Sequence, residues 1–335
     1  MCAAFNNSSS ERGAQSYAIS IESIRAAHDR IRGLVHKTPV MSSSYLNELS
    51  GFNLHFKCEF LQKTGSFKAR GATNAVLSND YTAVCTHSSG NHGQALAWAA
   101  SKKGIPAHIV MPSDAPVCKQ RGVAGYNGQI TFCEPNLASR ESTAARIMQE
   151  TGASFVHPYD HVDIMSGQGT IALELLEQVP QLDVIVVPIG GGGMCSGITT
   201  AAKAIKPSIV IVAAEPEAAN DAFRSKQCGE KVGNPSPPKT IADGLKTNLG
   251  ENPWPIVRDG VDEIMTVTEE EIRAALRLIW ERMKCVIEPS AAVGLAVALK
   301  EDFRQKYGAQ GCTNVGIILC GGNIDVDNIA KIFNP

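Results

Sequence analysis

Five short stretches of the 335-residue sequence collect residue types that can do chemistry. In KTGSFKARGA, residues 63–72, Lys68 stands between an aromatic side chain and a run of small residues. Such an amine is either a solvated charge on a helix face or a partly buried nucleophile whose reactivity desolvation tunes. THSSGNHGQ (86–94), PIGGGGMCSG (188–197) and LCGGN (319–323) each end a short apolar run in a glycine-rich, polar turn. Four consecutive glycines, Gly190, Gly191, Gly192 and Gly193, let backbone N–H groups converge on an anion at a helix start, which makes a phosphate cradle. The spacing is not the G-x-G-x-x-G of a dinucleotide fold, and no lysine follows as in a nucleotide P-loop, so the phosphate needs a different owner. EPEAAND (215–221) reads by itself as a solvated acidic turn. His157 and His161 lack the separation and partner ligands of a metal site and read as core or surface histidines.

These turns need a scaffold that presents them on one side. Apolar, β-branched runs at 82–88, 107–112, 129–135, 184–190, 208–216 and 315–322 predict strands. Helical spacing predicts helices at 91–103, 138–151, 167–178, 194–205, 269–284 and 289–301, the fifth started by a Thr268/Glu271 capping box. Strands alternating with helices imply an α/β fold of parallel sheets flanked by helices. In such sheets ligands bind beyond the carboxyl ends of the strands, where the glycine-rich turns fall. The stretch 228–240, rich in proline and glycine, is expected to be a surface loop.

Composition narrows the class. Hydrophobic residues make up 44% and charged ones 19%, with a net charge of −2, which excludes a disordered chain and a nucleic-acid footprint. The first twenty residues lack the apolar core of a secretory signal and read as a loose leader, and no apolar run approaches the roughly 20 residues that cross a bilayer. A cytoplasmic location is expected. Ten cysteines are scattered without a C-x-x-C pair, which fits reduced thiols better than a disulfide framework or a zinc site.

Taken together, SFKARGA, SSGNHGQ, the tetraglycine loop, AAEPEAAND, IADGLK, ERMKCVIEPSA and LCGGN resemble, in order, the motifs of the fold-type II pyridoxal-phosphate enzymes, within them the serine racemase and serine/threonine dehydratase group. The resemblance spans roughly residues 20 to 330. It implies that Lys68 holds the cofactor aldehyde as a Schiff base, with Phe67 beside the ring and Asn91 on the phenolic oxygen. Gly190, Gly191, Gly192, Gly193 and Met194 would hold the phosphate, Gly244 would lie near the opposite ring face, and Cys320 would face the pyridine nitrogen. Serine racemases usually carry serine at that last position and serine dehydratases often carry cysteine. Either side chain is neutral and cannot protonate the ring as an aspartate would, which moderates the electron sink.

The resemblance further implies that Ser89 is the acid/base facing Lys68 across the substrate, where dedicated dehydratases generally carry alanine. Racemisation needs a proton-transfer group on each face of the planar carbanion, and elimination needs one. Ser88, the Asn91 backbone, His92, Arg140 and Thr247 would meet the substrate. Thr247 replaces a usual serine and Tyr159 a usual small polar residue. Glu215, the Ala219 carbonyl and Asp221 would bind a divalent cation (Mg²⁺, Ca²⁺ or Mn²⁺), with Asn252 assisting, through an all-oxygen set. Lys63, Thr64, Gln94, Tyr126, Lys284 and Asn323 match a nucleotide site between subunits, for an ATP effector, in a homodimer.

The expectation is therefore a tryptophan-synthase-β-like enzyme with a large domain (1–76 and 161–335), a small inserted domain (77–160) and the active site in the cleft. It would interconvert L- and D-serine, with side elimination to pyruvate and ammonia. Alternatives are a serine, threonine or 3-hydroxyaspartate dehydratase, an aspartate racemase, and a silent nucleotide-binding regulator.

Overall fold

The structure, a computed structural model, describes residues 17–88 and 90–333. Most of the stretch read as a leader, and Ser89, lie outside the described residues.

Ten strands form two sheets: β1 Val40–Met41, β2 Asn53–Lys57, β3 Val84–His87, β4 Ala107–Pro112, β5 Gln129–Cys133, β6 Ser154–Phe155, β7 Val184–Pro188, β8 Val210–Pro216, β9 Glu263–Val267 and β10 Asn314–Ile318. The larger sheet has the order β1-β2-β10-β7-β8-β9 and the smaller β5-β4-β3-β6. Every pairing is parallel except β1 with β2. β7, VIVVP, is buried at every position, as a strand covered on both faces should be. Helix Pro289–Ala298 packs on β7 and β8 and is buried throughout, while helices Val162–Gln178 and Gly193–Ile205 pack on each other. Among the described residues no helix is long and apolar enough to cross a membrane.

The six expected strands and the helix Asn91–Lys103 appear where the pattern put them, within a few residues at the ends. Two helices differ in instructive ways. One begins at Val162, not 167, because the His161 ring accepts from the Asp163 N–H and caps it. The other starts on the reciprocal Thr268/Glu271 box but gives way at Ile279 to a π-helical turn and ends at Lys284 with φ 61°, a left-handed stop.

Helix Lys68–Ser78 carries the feature that ties these layers together. Gly71 and Gly167 let it approach Val162–Gln178 closely, since a Cβ on Gly167 would lie 2.6 Å from the Gly71 Cα. At Arg70 the contact becomes ionic and fully buried. Its guanidinium donates to both Glu59 oxygens at 2.8 Å and to Glu174 at 2.6 and 2.8 Å. Lys57, on β2, donates to Glu174 at 2.7 Å, to the Thr38 carbonyl at 2.8 Å and to Gln178 at 2.9 Å. Burying four charges is tolerable only because each finds opposite charge and hydrogen bonds. Arg70→Ala should therefore lower stability by about 3–5 kcal/mol in denaturant unfolding, by leaving Glu59 and Glu174 without their shared cation. Arg70→Lys should recover only part, because an ammonium cannot fork onto two carboxylates. A loss below about 1 kcal/mol in the alanine variant would show that the cluster is dispensable.

Candidate active site

One cleft gathers the turns that follow β3, β7 and β10. It is lined by Phe67, Lys68, Ser88, Asn91, His92, Arg140, Gly190, Gly191, Gly192, Gly193, Met194, Gly244, Thr247 and Cys320, so fourteen expected site residues from distant parts of the chain face one space. Lys68 is the first residue of helix Lys68–Ser78 and its Nζ donates to the Pro158 carbonyl at 2.7 Å. Burial lowers its pKa to about 8, with Cys320 and Glu288 acting the other way. An amine so placed is a competent nucleophile and base near neutral pH.

The tetraglycine turn joins β7 to helix Gly193–Ile205. Its N-cap is Gly192 at φ 85°, and no side chain caps the helix start. The free N–H groups and the positive end of the helix dipole suit a phosphate. Side chains are excluded here, for a Cβ on Gly191 would sit 2.3 Å from the Tyr159 ring and one on Gly190 would sit 2.9 Å from the Leu245 Cα. The donor set thus fits the phosphate end of pyridoxal phosphate.

The other end of the cleft fits the ring. Asn91 accepts from Asn323 at 2.9 Å through Oδ1 and donates to Glu288 Oε1 at 2.8 Å, which fixes its amide with the second N–H still available. Glu288 is buried, its Oε2 has no hydrogen-bond partner among the described residues, and burial pushes its pKa up. Burial also holds the Cys320 thiol well above its ordinary pKa, so it is a neutral group. The Gly244 N–H donates to Ser290 at 3.0 Å.

For the substrate-side residues the picture is mixed. Gly90 N–H donates to the Ser88 hydroxyl at 3.3 Å. His92 turns its ring into the small sheet, with Nε2 3.1 Å from the Val156 carbonyl, and burial drives its pKa well down. Its Nδ1 has no partner among the described residues, so a contact from His92 to a substrate would come from that nitrogen or from its backbone N–H. Arg140 lines the cleft with a buried Nε that has no partner among the described residues. Ser89 belongs to the undescribed part of the turn.

The cation candidate is a compact turn at the end of β8. Glu215 accepts from the N–H groups of Ala222 at 3.0 Å and Phe223 at 2.8 Å, and Asp221 from Asn234 at 2.8 Å and the Leu249 N–H at 2.8 Å. Both carboxylates and Ala219 are buried, and burial raises both acid pKa values; the charge of Asp221 adds to the rise at Glu215, which reaches about 8. Two buried acids raised in this way are the donor set a hard cation would relieve. Asn252 is engaged elsewhere, donating to Asp160 at 2.8 Å. Among the described residues no group of three or more His, Cys, Asp or Glu side chains could hold a metal. His157 accepts from the Asp160 N–H at 2.9 Å and His161 caps a helix, so both are structural.

Of the nucleotide set, Asn323 donates to the Thr64 carbonyl at 2.8 Å, and Lys63 shares the turn with Thr64. Gln94 is buried with an Nε2 that has no partner among the described residues, Tyr126 ends helix Val117–Gly125, and Lys284 is exposed. Two cleft residues, Lys119 and Pro158, carried no motif signal, while His87 and Ser290 sat inside quoted motifs without being singled out and His157 read as a core or surface histidine. Lys119 reaches across to Asp243 at 2.5 Å. Glu288 and Asp243 sat inside quoted motifs, and only the structure shows why: Glu288 is buried beside Asn91, and Asp243, exposed, pairs with Lys119.

Comparison with known proteins agrees with this geometry. The family model described as "Pyridoxal-phosphate dependent enzyme" matches residues 31–321. Serine racemase of Homo sapiens is 51% identical over 317 residues, covering 92% of this chain and 93% of its own. Serine racemase of Arabidopsis thaliana is 51% identical over 327 residues, covering 96% and 98%. The structure of maize serine racemase matches with a TM-score of 0.91 at 47% identity, over 94% of this chain and 97% of that one. The chain belongs to the pyridoxal-phosphate dependent enzyme family.

Proposed function

We propose that the protein is a serine racemase that interconverts L- and D-serine, with side β-elimination of serine to pyruvate and ammonia. The observation that carries the reading is the Lys68 amine, depressed to about 8 and facing the same cleft as an uncapped tetraglycine helix start. Pyridoxal phosphate, when bound, supplies the electron sink that acidifies the α-C–H of an amino acid. The N–H groups of residues 190 to 193 would hold its phosphate and Asn91 its phenolic oxygen, and Cys320, a neutral thiol, would serve its ring nitrogen without delivering a proton. Lys68 Nζ moves the α-proton on one face of the substrate. Ser89 moves it on the other, and its neighbours Ser88 and Gly90 both line the cleft. Arg140 offers its guanidinium to the substrate.

The reading extends to the assembly. The two sheets support a large domain of residues 1–76 and 161–335 and a small one of 77–160, with β3 to β6 lying inside the latter. A divalent cation on Glu215, the Ala219 carbonyl and Asp221 would be structural, since it belongs to the turn after β8. A cytoplasmic homodimer with ATP near Lys63, Thr64, Gln94, Tyr126, Lys284 and Asn323 completes the proposal, supported by the hydrogen bonds that join Thr64 to Asn91 through Asn323.

Lys68→Ala should abolish turnover and remove the visible absorption that the washed protein retains. In the parent, pyridoxal phosphate uptake by apoprotein should quicken as pH rises and level off above about 8, because only the unprotonated amine attacks a carbonyl. Normal turnover in the variant would end the reading.

Chelation, or Asp221→Ala, should lower the melting temperature and activity together, since a cation that binds only the folded state stabilises it by mass action. A melting curve indifferent to chelator and to added Mg²⁺, Ca²⁺ or Mn²⁺ would remove the cation from the proposal.

Ser89→Ala should leave elimination from L-serine, which needs only the lysine face. D-serine formation and elimination from D-serine should fall by about 10²–10⁴-fold, the usual cost of losing a positioned acid/base. Solvent deuterium incorporation reads each face separately. Racemisation close to the parent rate would reduce Ser89 to a loop residue and favour a dehydratase.

A further inference from the structure

We propose that Tyr159 and Thr247 form the wall that selects the substrate's β-substituent, accepting a primary hydroxyl and disfavouring a methylated or anionic one. This inference rests on the reading of the cleft as a site for β-hydroxy amino acids.

Both residues line the cleft that holds Lys68, and Tyr159 follows directly on Pro158, whose carbonyl receives the Lys68 amine. The phenol ring lies flat against the phosphate cradle, close enough that a Cβ on Gly191 would come within 2.3 Å of it. The His157 ring meets it edge-on, 4.6 Å between centroids at 86°. The ring is thus packed against both the tetraglycine turn and a histidine, which restrict its movement.

Thr247 is tied to the same unit. The Asp160 carboxylate accepts from the N–H groups of Glu251 and Asn252, each at 2.9 Å, and from the Asn252 side chain at 2.8 Å. Gly250 N–H donates to the Gly191 carbonyl at 3.1 Å. The segment just after Thr247 is therefore pinned both to the residue after Tyr159 and to the cradle. Tyr159 and Thr247 keep their spacing whatever enters.

The chemistry of the wall is neutral. Burial, and then the charge of Asp160, push the Tyr159 hydroxyl up to about 12, with Thr247 acting the other way. Two hydroxyls lining one cleft can donate to and accept from a third, which is what a serine β-hydroxyl offers. Asp160, which opposes ionisation of the phenol, opposes equally an anionic substituent set against it. The Thr247 methyl, absent from the serine it replaces, takes up the space that a substrate methyl would need.

The test is kinetic and spectral. kcat/KM is measured for L-serine and L-threonine with the parent, Thr247→Ser and Tyr159→Phe. Spectral titration of the bound cofactor with each amino acid gives the same affinity ratio without turnover. Thr247→Ser should raise the threonine-to-serine ratio about tenfold, at the low end of the 10–200-fold that one methylene commands. Tyr159→Phe keeps the ring and should raise the KM for serine about tenfold, the value of one lost hydrogen bond, with cofactor absorption unchanged. A ratio within about twofold of the parent in Thr247→Ser overturns the proposal, and so does loss of bound cofactor in Tyr159→Phe, which would make the phenol a cofactor support. Should the parent release ammonia from both amino acids but form no D-serine, the racemase reading falls while the ratios still decide the wall.

Discussion

The cleft works only if one amine stays fixed at the first residue of helix Lys68–Ser78, and what fixes it is a cluster of buried opposite charges two residues further on. Arg70 is the centre. It spends its guanidinium on Glu59, next to β2, and on Glu174, on helix Val162–Gln178, while Lys57 closes the ring on Glu174. A hydrophobic contact of equal area would hold the helix as firmly but would let it slide. Directional bonds from one planar fork to two carboxylates leave a single register. Since Lys68 and Arg70 share the same first turn, that register also sets where the amine points. The close approach of Gly71 and Gly167 brings the two helices near enough for Arg70 to reach Glu174.

From this anchor the rest of the site follows by strand direction. β7 and β10 are parallel neighbours, so their carboxyl ends deliver the tetraglycine turn and Cys320 to the same edge. β3 belongs to the other sheet, and its exit turn carries Ser88 and Asn91 into the cleft from the opposite side. The larger sheet thus supplies the tetraglycine turn and Cys320, and the smaller one supplies Ser88 and Asn91. Lys119, from a helix that packs beside β5, reaches Asp243 across this gap.

Much of this was legible in the sequence because it is local. Strand-length apolar runs, the Thr268/Glu271 capping box and four adjacent glycines act over a few residues, and each appears where the pattern predicts. The shared cleft was legible only through the order of motifs, which spacing alone could not bring together. What the sequence concealed depends on distant partners. Nothing in ARG marks Arg70 as buried until Glu59 and Glu174 stand beside it. His92 looks like a ligand in SSGNHG, yet the carbonyl of Val156, sixty-four residues on, takes its ring. The helix from 269 keeps its apolar periodicity through Met283, but the π-turn and the left-handed Lys284 reflect a chain that must reverse into Pro289.

The electrostatics of the cleft have one direction, and it bears on the reaction. Burial pushes Lys68 down to about 8, His157 down to about 4 and His92 well down, and pushes Glu288 and Cys320 up and Tyr159 up to about 12. Every one of these shifts favours the neutral form. Charge is therefore expensive across the floor and walls of the site, and water cannot cheapen it where the side chains are buried. Besides the Lys119–Asp243 ion pair, two places break the rule: the start of helix Gly193–Ile205, which no side chain caps, and Arg140, whose Nε has no partner among the described residues. An anionic ligand group is welcome at these two places and penalised elsewhere. A phosphate at one and a carboxylate at the other would orient a bound molecule by its charged ends and leave the carbon between them in neutral surroundings. There an amine lowered to about 8 keeps far more of its unprotonated, proton-accepting form near neutral pH than an ordinary lysine does.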